Sequence, residues 1–186
     1  AAADAAALFA VGHAYGRADH ARVVTRPVAG QFAESGLIEI VPASRSYYER
    51  DVDPLFGDVA EILVVGDRSW WRFPPEEQCW EPIGAGWADW RFDVWRPAGI
   101  GRWPVVAVTS TPDARTISVT GYPSYTSVAP DVWTMHVDPV TRRPLSETYS
   151  RSDYADEGLT EQSTYDYSTP VVPRTPPAAS AICRRG

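Results

Sequence analysis

The sequence predicts a mainly β domain built on an antiparallel sheet, and three observations support this prediction. Short segments rich in β-branched and aromatic residues recur from residue 21 to residue 167, as in a succession of strands. Glycine, proline and aspartate separate these segments at short intervals, which is typical of tight turns. Within 132–138, Trp133, Met135 and Val137 alternate with polar residues, as expected of a strand with one face in water.

The elements follow in order from the N-terminus. Residues 4–16 predict a short helix, because Leu8, Val11 and Tyr15 recur at near-helical spacing. Asp4 and Gly16 would mark its ends. The predicted strands then cover residues 21–26, 34–41, 45–50, 60–65, 69–73, 105–109, 116–120, 132–138, 145–151 and 160–167.

Two turns and two unusual strands add detail. Gly66 and Asp67 predict a two-residue hairpin turn, and residues 138–144 predict a longer one. Segment 60–65 is apolar on both faces, so both faces need cover; a helix layer on one side and an interior space on the other would provide it. Segment 160–167 is polar for its length, which predicts an exposed or edge strand.

Two stretches lack the strand pattern. The first, residues 84–104, contains Trp87, Trp90, Trp95 and Trp103 among glycines and prolines, and it predicts a short helix or a lid loop. The second, residues 168–186, is rich in proline and alanine. It predicts an extended tail that is ordered only if its cysteine is tied down.

The composition is that of a globular chain and disfavours several functions. The chain has 186 residues, of which 44% are hydrophobic and 22% charged, which fits one folded domain. The net charge of -7 disfavours a nucleic-acid partner, because phosphate binding needs a basic surface. No apolar run approaches the roughly 18 residues of a membrane span. No recognised catalytic motif is present, so we expect neither an enzyme nor a cofactor.

Cys79 and Cys183 are the two cysteines, and they lie far apart in the sequence. In an exported protein they would form a disulfide that staples the C-terminal tail to the domain. The alternative is two unrelated buried thiols. Metal-ligand spacing is absent, so we expect no zinc site. A disulfide would imply an oxidising compartment.

The aromatic residues allow three interpretations. All but one of the tryptophans lie between Trp70 and Trp103. They would form an ordinary core, the lining of a ligand pocket or an exposed platform for stacking sugars.

Histidines and carboxylates give no clear catalytic arrangement. The histidines are His13, His20 and His136. They lack the spacing of metal ligands, and no nearby serine or cysteine suggests a triad. Carboxylates cluster at 51–53, 76–77 and 153–161. These would serve a glycosidase only if two of them faced each other across a cleft, and solvated loops are the simpler interpretation.

Three segments resemble motifs of one protein superfamily. Residues 36–42 (GLIEIVP) and 62–74 (ILVVGDRSWWRFP) are similar to its glycine-to-proline strand and to its apolar strand, tight turn and aromatic strand. Residues 135–145 (MHVDPVTRRPL) are similar to its Val-Asp-Pro hairpin. The superfamily is that of the periplasmic lipoprotein carriers and their LolA/LppX/RseB-like relatives. The resemblance covers residues 4–175 and includes a helix before the first strand.

The resemblance implies a strongly curved antiparallel sheet that forms an unclosed barrel, with the N-terminal helix and a few short helices on its concave side. Residues 1–175 would form a single LolA-like domain and residues 176–186 a Pro/Ala-rich tail. Two positions depart from the superfamily. Arg142 replaces a hairpin glycine, so this turn lacks glycine's freedom at positive φ. Val41 replaces an arginine that holds the lid of the lipoprotein carriers closed, which disfavours regulated hand-off of lipoproteins.

The predicted function is non-catalytic binding of a lipid or acyl chain in an apolar cavity between sheet and helices, with affinity from apolar burial. The predicted lining consists of Ile38, Ile40, Leu63, Val65, Trp71, Phe73, Trp133, Met135 and Val137. The protein would be exported to the periplasm, the cell envelope or the extracellular space, after removal of a signal peptide or with a lipid anchor in the precursor. Peripheral membrane contact is also expected.

Two other functions remain open. The same scaffold would act as an envelope sensor or interaction module if an exposed apolar groove bound a partner protein. A carbohydrate-binding domain would need coplanar exposed tryptophans.

Overall fold

Eleven strands form one antiparallel sheet in the computed structural model of this chain. The structure describes residues 4, 6–8, 10, 11, 14, 17–30, 33–53, 57–76, 78–84, 105–113, 115–121, 131–151 and 158–183. The strands are β1 (Ala21–Ala29), β2 (Ser35–Val41), β3 (Ser46–Val52), β4 (Val59–Val65), β5 (Arg68–Arg72), β6 (Glu81–Ile83), β7 (Val105–Ser110), β8 (Thr116–Gly121), β9 (Asp131–Val137), β10 (Pro144–Arg151) and β11 (Leu159–Asp166). The prediction of a mainly β, antiparallel domain is confirmed, and each predicted strand coincides with an observed one. Strand β6, with three residues and a central proline, was not predicted.

The strand order is β6-β5-β4-β3-β2-β1-β11-β10-β9-β8-β7. It leaves β6 and β7 as the two edges, so the sheet does not close into a barrel. Segment 160–167 was predicted as an exposed or edge strand. The edge position is wrong, because β11 lies between β1 and β10, whereas Gln162 and Thr164 of this strand are exposed. Hydroxyl groups of neighbouring strands satisfy its polar side chains: Thr25 Oγ1 lies 2.9 Å from Ser163 Oγ, and Ser150 Oγ lies 3.3 Å from Thr160 Oγ1.

The register of the strands assigns every side chain to one of two faces, because residues directly opposite each other share a face. We call one the helix face. It runs through Val64, Tyr47, Ile40 and Ala21 in one half of the sheet and through Ser163, Glu147, Met135 and Ile117 in the other. The opposite face, which carries Leu63 and Tyr48, we call the tail face.

The N-terminal helical segment covers one half of the helix face. Each described residue among positions 4–14 is helical, which confirms the predicted helix at those positions. Leu8 and Val11 are buried against Ile117, Trp133 and Met135. Asp4 Oδ1 accepts hydrogen bonds from the backbone N and the Oγ of Ser110 on β7, at 2.9 and 2.6 Å. In the other half, a second buried cluster contains Ala21, Ile40, Tyr47 and Val64.

The C-terminal segment covers the tail face. A disulfide joins Cys79 and Cys183 across 104 residues of sequence, with the two Cα atoms 5.1 Å apart, so the predicted staple is confirmed. Next to it, Trp80 N donates to the carbonyl of Ala181 at 2.8 Å. A third buried cluster forms there from Leu63, Trp70 and Trp80, with Ala181 packed against it. On the tail face, strand β4 is therefore covered by the chain's own C-terminal segment.

Arg174 fixes the same segment farther along the tail face. Its guanidinium lies 4.3 Å from the ring centroid of Tyr48 and pairs with Glu39. Its backbone N donates to Ser46 Oγ at 2.8 Å. An arginine that stacks on an aromatic ring and pairs with a carboxylate uses both recognition modes of its planar group.

The turn between β9 and β10 depends on one aspartate. Asp138 Oδ1 accepts hydrogen bonds from the backbone N of Val140 and of Thr141, at 2.9 and 2.6 Å. Arg142 adopts a left-handed backbone conformation with φ of 61°. Arginine thus occupies the conformation that a glycine would adopt without cost, because the Asp138 side chain holds the turn around it.

We expect loss of the disulfide to destabilise the protein. The double variant Cys79→Ala/Cys183→Ala should lose about 3 kcal/mol of unfolding free energy, since a cross-link over a loop of this length restricts the unfolded chain. Urea unfolding followed by tryptophan fluorescence measures this loss, and reduction of the wild type should reproduce it. An unchanged urea midpoint would contradict the stapling role.

We also expect Arg142→Gly to be more stable than Arg142→Ala by about 1 kcal/mol, because only glycine relieves the left-handed backbone. The alanine variant is the matched control, since both changes remove the same side chain. Urea unfolding of the two variants gives the difference directly. Equal midpoints would show that the turn carries no such cost.

Candidate functional site

A carboxyl and a phenol form a polar pair on the helix face. The hydroxyl of Tyr165 on β11 donates a hydrogen bond of 3.1 Å to Glu147 Oε2 on β10. Glu147 lies in register with Met135, which is 0% exposed. Burial raises the pKa of Glu147 to about 7 and also raises the pKa of Tyr165. Both side chains nevertheless keep part of their surface accessible.

Apolar side chains extend this surface across the other half of the helix face. Ile38 on β2 and Ile62 on β4 are both opposite Glu49 of β3, and Trp71 on β5 is opposite Ile62. These three apolar residues are partly accessible, although their strands lie inside the sheet. The ring of Phe73, which is 40% exposed, has its centroid 5.5 Å from that of Trp71.

Other carboxylates of the helix face accept hydrogen bonds from neutral donors. The Tyr149 hydroxyl donates to Asp131 Oδ2, and Asp131 is fully buried. The backbone N of Glu34 donates to Glu161 Oε1 at 2.7 Å. Burial raises the pKa of Glu34, and the charges of Glu161, Asp53 and Glu49 raise it further. This part of the face is therefore strongly acidic.

The structure distributes the predicted lining residues over both faces. Six of them share the helix face, and they are Ile38, Ile40, Trp71, Trp133, Met135 and Val137. Leu63 and Val65 lie on the tail face, because they alternate with Ile62 and Val64 along β4. Phe73 follows the end of β5. Ile40, Met135 and Val137 are almost fully buried. Ile40 belongs to the cluster against which Ile38 packs, whereas Met135 and Val137 belong to the cluster under the N-terminal helical segment.

The sequence analysis did not single out Glu147, Tyr165 or Ile62. The alternation along β10 places Glu147 and Tyr149 on one face. The pairing of Glu147 with Met135 of β9 shows that this is the helix face. The register shift between Pro144 and Ser146 hides this relation in the sequence, because it changes which residues of β10 align with the apolar positions of β9.

The remaining candidate side chains have structural surroundings where the structure describes them. Trp70, Trp80 and Trp133 are buried, as in an ordinary core. The predictions for Trp87, Trp90, Trp95, Trp103 and His13 lie outside the described residues. His136 is exposed, with Nδ1 lying 3.3 Å from Thr116 Oγ1. In the described ranges, no three His, Cys, Asp or Glu side chains are grouped as metal ligands, and no helix is both long and apolar enough to cross a membrane.

Comparison with solved structures identifies the fold. The crystal structure of the Mycobacterium tuberculosis lipoprotein LppX has a TM-score of 0.53 and 12% sequence identity, over 93% of this chain and 99% of that chain. An uncharacterized conserved protein from Thermus thermophilus has a TM-score of 0.59 and 12% identity, over 98% of this chain and 99% of that chain. No protein-family model and no curated protein matches the sequence. The predicted resemblance is confirmed as a similarity of fold to LppX.

We expect Glu147 to make the stability of the protein depend on pH. Its pKa is about 7 in the folded protein and 4.5 ordinarily, so the folded chain binds more protons between these values. The free energy of unfolding should therefore fall as pH rises through this window, by about 2–3 kcal/mol in total. Glu147→Gln should remove this part of the fall. Urea midpoints from pH 4.5 to pH 8 measure it.

The matched control is Glu76→Gln, because Glu76 lies exposed in the turn after β5. This variant should keep the wild-type dependence on pH. A Glu147→Gln variant with the same dependence as the wild type would contradict the assignment.

Proposed function

We propose that this protein is a non-catalytic, exported binding protein that holds a lipid or acyl chain against the helix face of its sheet. The observation that carries the proposal is the partial accessibility of Ile38, Ile62 and Trp71 on strands that lie within an 11-stranded sheet. Apolar surface of this kind gains about 0.8 kcal/mol for each methylene group of a ligand that it removes from water.

The polar pair supports a recess at this face. Glu147 and Tyr165 have pKa values raised by burial, yet both retain accessible surface. Accessible surface on side chains that are otherwise largely buried is what residues at the wall of a recess would have. An apolar recess with a few polar groups is the usual form of a small-molecule site.

The fold and the disulfide support the biological setting. The similarity of fold to the lipoprotein LppX agrees with the superfamily resemblance, which implies a carrier or sensor of acyl chains. The Cys79–Cys183 disulfide fits an oxidising compartment such as the periplasm or the cell exterior. Loading from a bilayer would require peripheral membrane contact.

The sugar-binding alternative is weaker. Stacking on sugars requires exposed tryptophan rings. Of the four tryptophans that the structure describes, Trp70, Trp80 and Trp133 are each exposed by 9% or less, and Trp71 is partly accessible. The alternative, a protein-interaction module, would use the same helix face. The lipid-binding experiment below distinguishes it from a lipid-binding protein.

We expect the protein, purified from an exporting host, to carry a bound lipid. Native mass spectrometry should resolve an added mass that organic extraction releases and that lipid analysis identifies as an acyl compound. A protein that is free of added mass and stays so after incubation with lipid vesicles would contradict lipid binding and favour the interaction module.

Two neighbouring substitutions test the face that binds. Ile38→Gln should weaken binding of a fluorescent acyl probe at least tenfold, because it places an amide in the apolar wall. Leu37→Gln is the matched control, since Leu37 is the adjacent, equally partly buried residue of β2 on the tail face. It should leave the affinity unchanged. Equal effects of the two variants, with both shown to be folded by circular dichroism, would exclude the helix face as the site.

A further inference from the structure

The two faces of the sheet carry opposite charge. The strand carboxylates of the helix face are Glu49, Asp51, Glu81, Asp131, Glu147 and Glu161. Among the described strand residues, the arginine on this face is Arg151, at the end of β10. The arginines of the tail-face strands are Arg22, Arg26, Arg50, Arg68 and Arg72.

Arginines neutralise the glutamates of the tail face. Glu61 pairs with Arg72 and lies 3.8 Å from Arg50. Glu39 pairs with Arg174 and lies 4.0 Å from Arg22. Adjacent arginines therefore neutralise the negative charge of these two side chains.

Glu147 and Glu161 on the helix face have neutral donors instead. The Tyr165 hydroxyl donates to Glu147, and the backbone N of Glu34 donates to Glu161. Hydrogen bonds from uncharged donors satisfy the oxygens without neutralising the charge that each carboxylate carries above its pKa, which burial raises in both residues. In surroundings of low dielectric constant, such charge acts strongly on any other charge brought near it.

Glu147 is connected to the apolar surface through Tyr165, which packs with Ile38 and Ile62 against one buried cluster. It lies in register with Met135 on one side and Ser163 on the other, and Tyr165 fixes Oε2. Its side chain is still partly accessible. A ligand lying on this face would meet a carboxylate, which accepts hydrogen bonds and repels anions.

We propose, on the basis of the proposed function, that the ligand has an uncharged polar end with a hydrogen-bond donor, as in an acylglycerol, and that Glu147 excludes free fatty acids and other anionic lipids. A hydroxyl group would donate to the Glu147 carboxylate without loss of hydrogen bonding on leaving water. An ionised carboxylate in the same place would lose its hydration and face the like charge of Glu147. The site thus selects by head group, while the apolar residues of the face accommodate the chain.

The test compares two ligands with the same acyl chain. 1-Monolauroylglycerol and laurate are titrated into the intact, delipidated protein at pH 8, below their micellar concentrations, by isothermal calorimetry. We expect the dissociation constant of the glyceride to be at least tenfold lower. We expect this ratio to persist in 0.5 M NaCl, since screening acts weakly on groups removed from water.

Glu147→Gln identifies the residue responsible. This variant should bind laurate at least threefold more tightly than the wild type does, whereas Glu76→Gln, the exposed control, should bind it as the wild type does. Laurate binding as tight as glyceride binding in the wild type would overturn the head-group inference and leave lipid binding intact. Binding of neither ligand would overturn the proposed function itself and the inference with it. A ratio unchanged in Glu147→Gln would exclude Glu147 as the selective group.

Discussion

The whole arrangement depends on one constraint: the sheet carries buried apolar clusters on both of its faces, so each cluster needs a cover from outside the sheet. The N-terminal helical segment contributes Leu8 and Val11 to the helix face. The tail face is covered by a segment that returns from the other end of the described chain and contributes Ala181. Because apolar burial is roughly proportional to the area removed from water, neither cover is dispensable. The disulfide and Arg174 hold the second cover in place.

The two covers differ in the way they treat charge. Under the C-terminal segment, arginines and glutamates form ion pairs, of which Arg72 with Glu61 and Arg174 with Glu39 are the most direct. On the helix face, Glu147 accepts its hydrogen bond from the hydroxyl of Tyr165 and not from an arginine. A neutral donor satisfies a carboxylate and leaves its charge to act on whatever comes near. The first arrangement stabilises a permanent contact, and the second leaves a surface suited to selective binding.

The local pattern of the sequence was sufficient to locate the strands, the turn at Gly66 and the cysteine pair. It was insufficient to assign faces across the sheet, because these depend on register between strands distant in sequence. Leu63 and Ile62 are both apolar, so their side chains alone do not show which face each occupies. The pairing of Leu63 with Tyr48 and of Ile62 with Glu49 assigns them to the tail face and the helix face. The polar sequence of strand β11 is typical of an edge strand. The strand lies inside the sheet because hydroxyl groups of the neighbouring strands satisfy its polar side chains. The burial of Glu147 could not be predicted from β10 alone, because its surroundings come from β9 and β11.

The disulfide also imposes an order on biogenesis. It encloses β6 to β11 in one covalent ring, closed by two cysteines with a sequence separation of 104, while β1 to β5 precede the ring. The seam where β1 pairs with β11 joins the chain outside the ring to the last strand within it. As the chain emerges from its N-terminal end, β2 to β5 are able to form hairpins early, but β1 has no partner on its other side until β11 has emerged. Oxidation comes later still, when Cys183 emerges, so the covalent bond preserves a sheet that is already assembled.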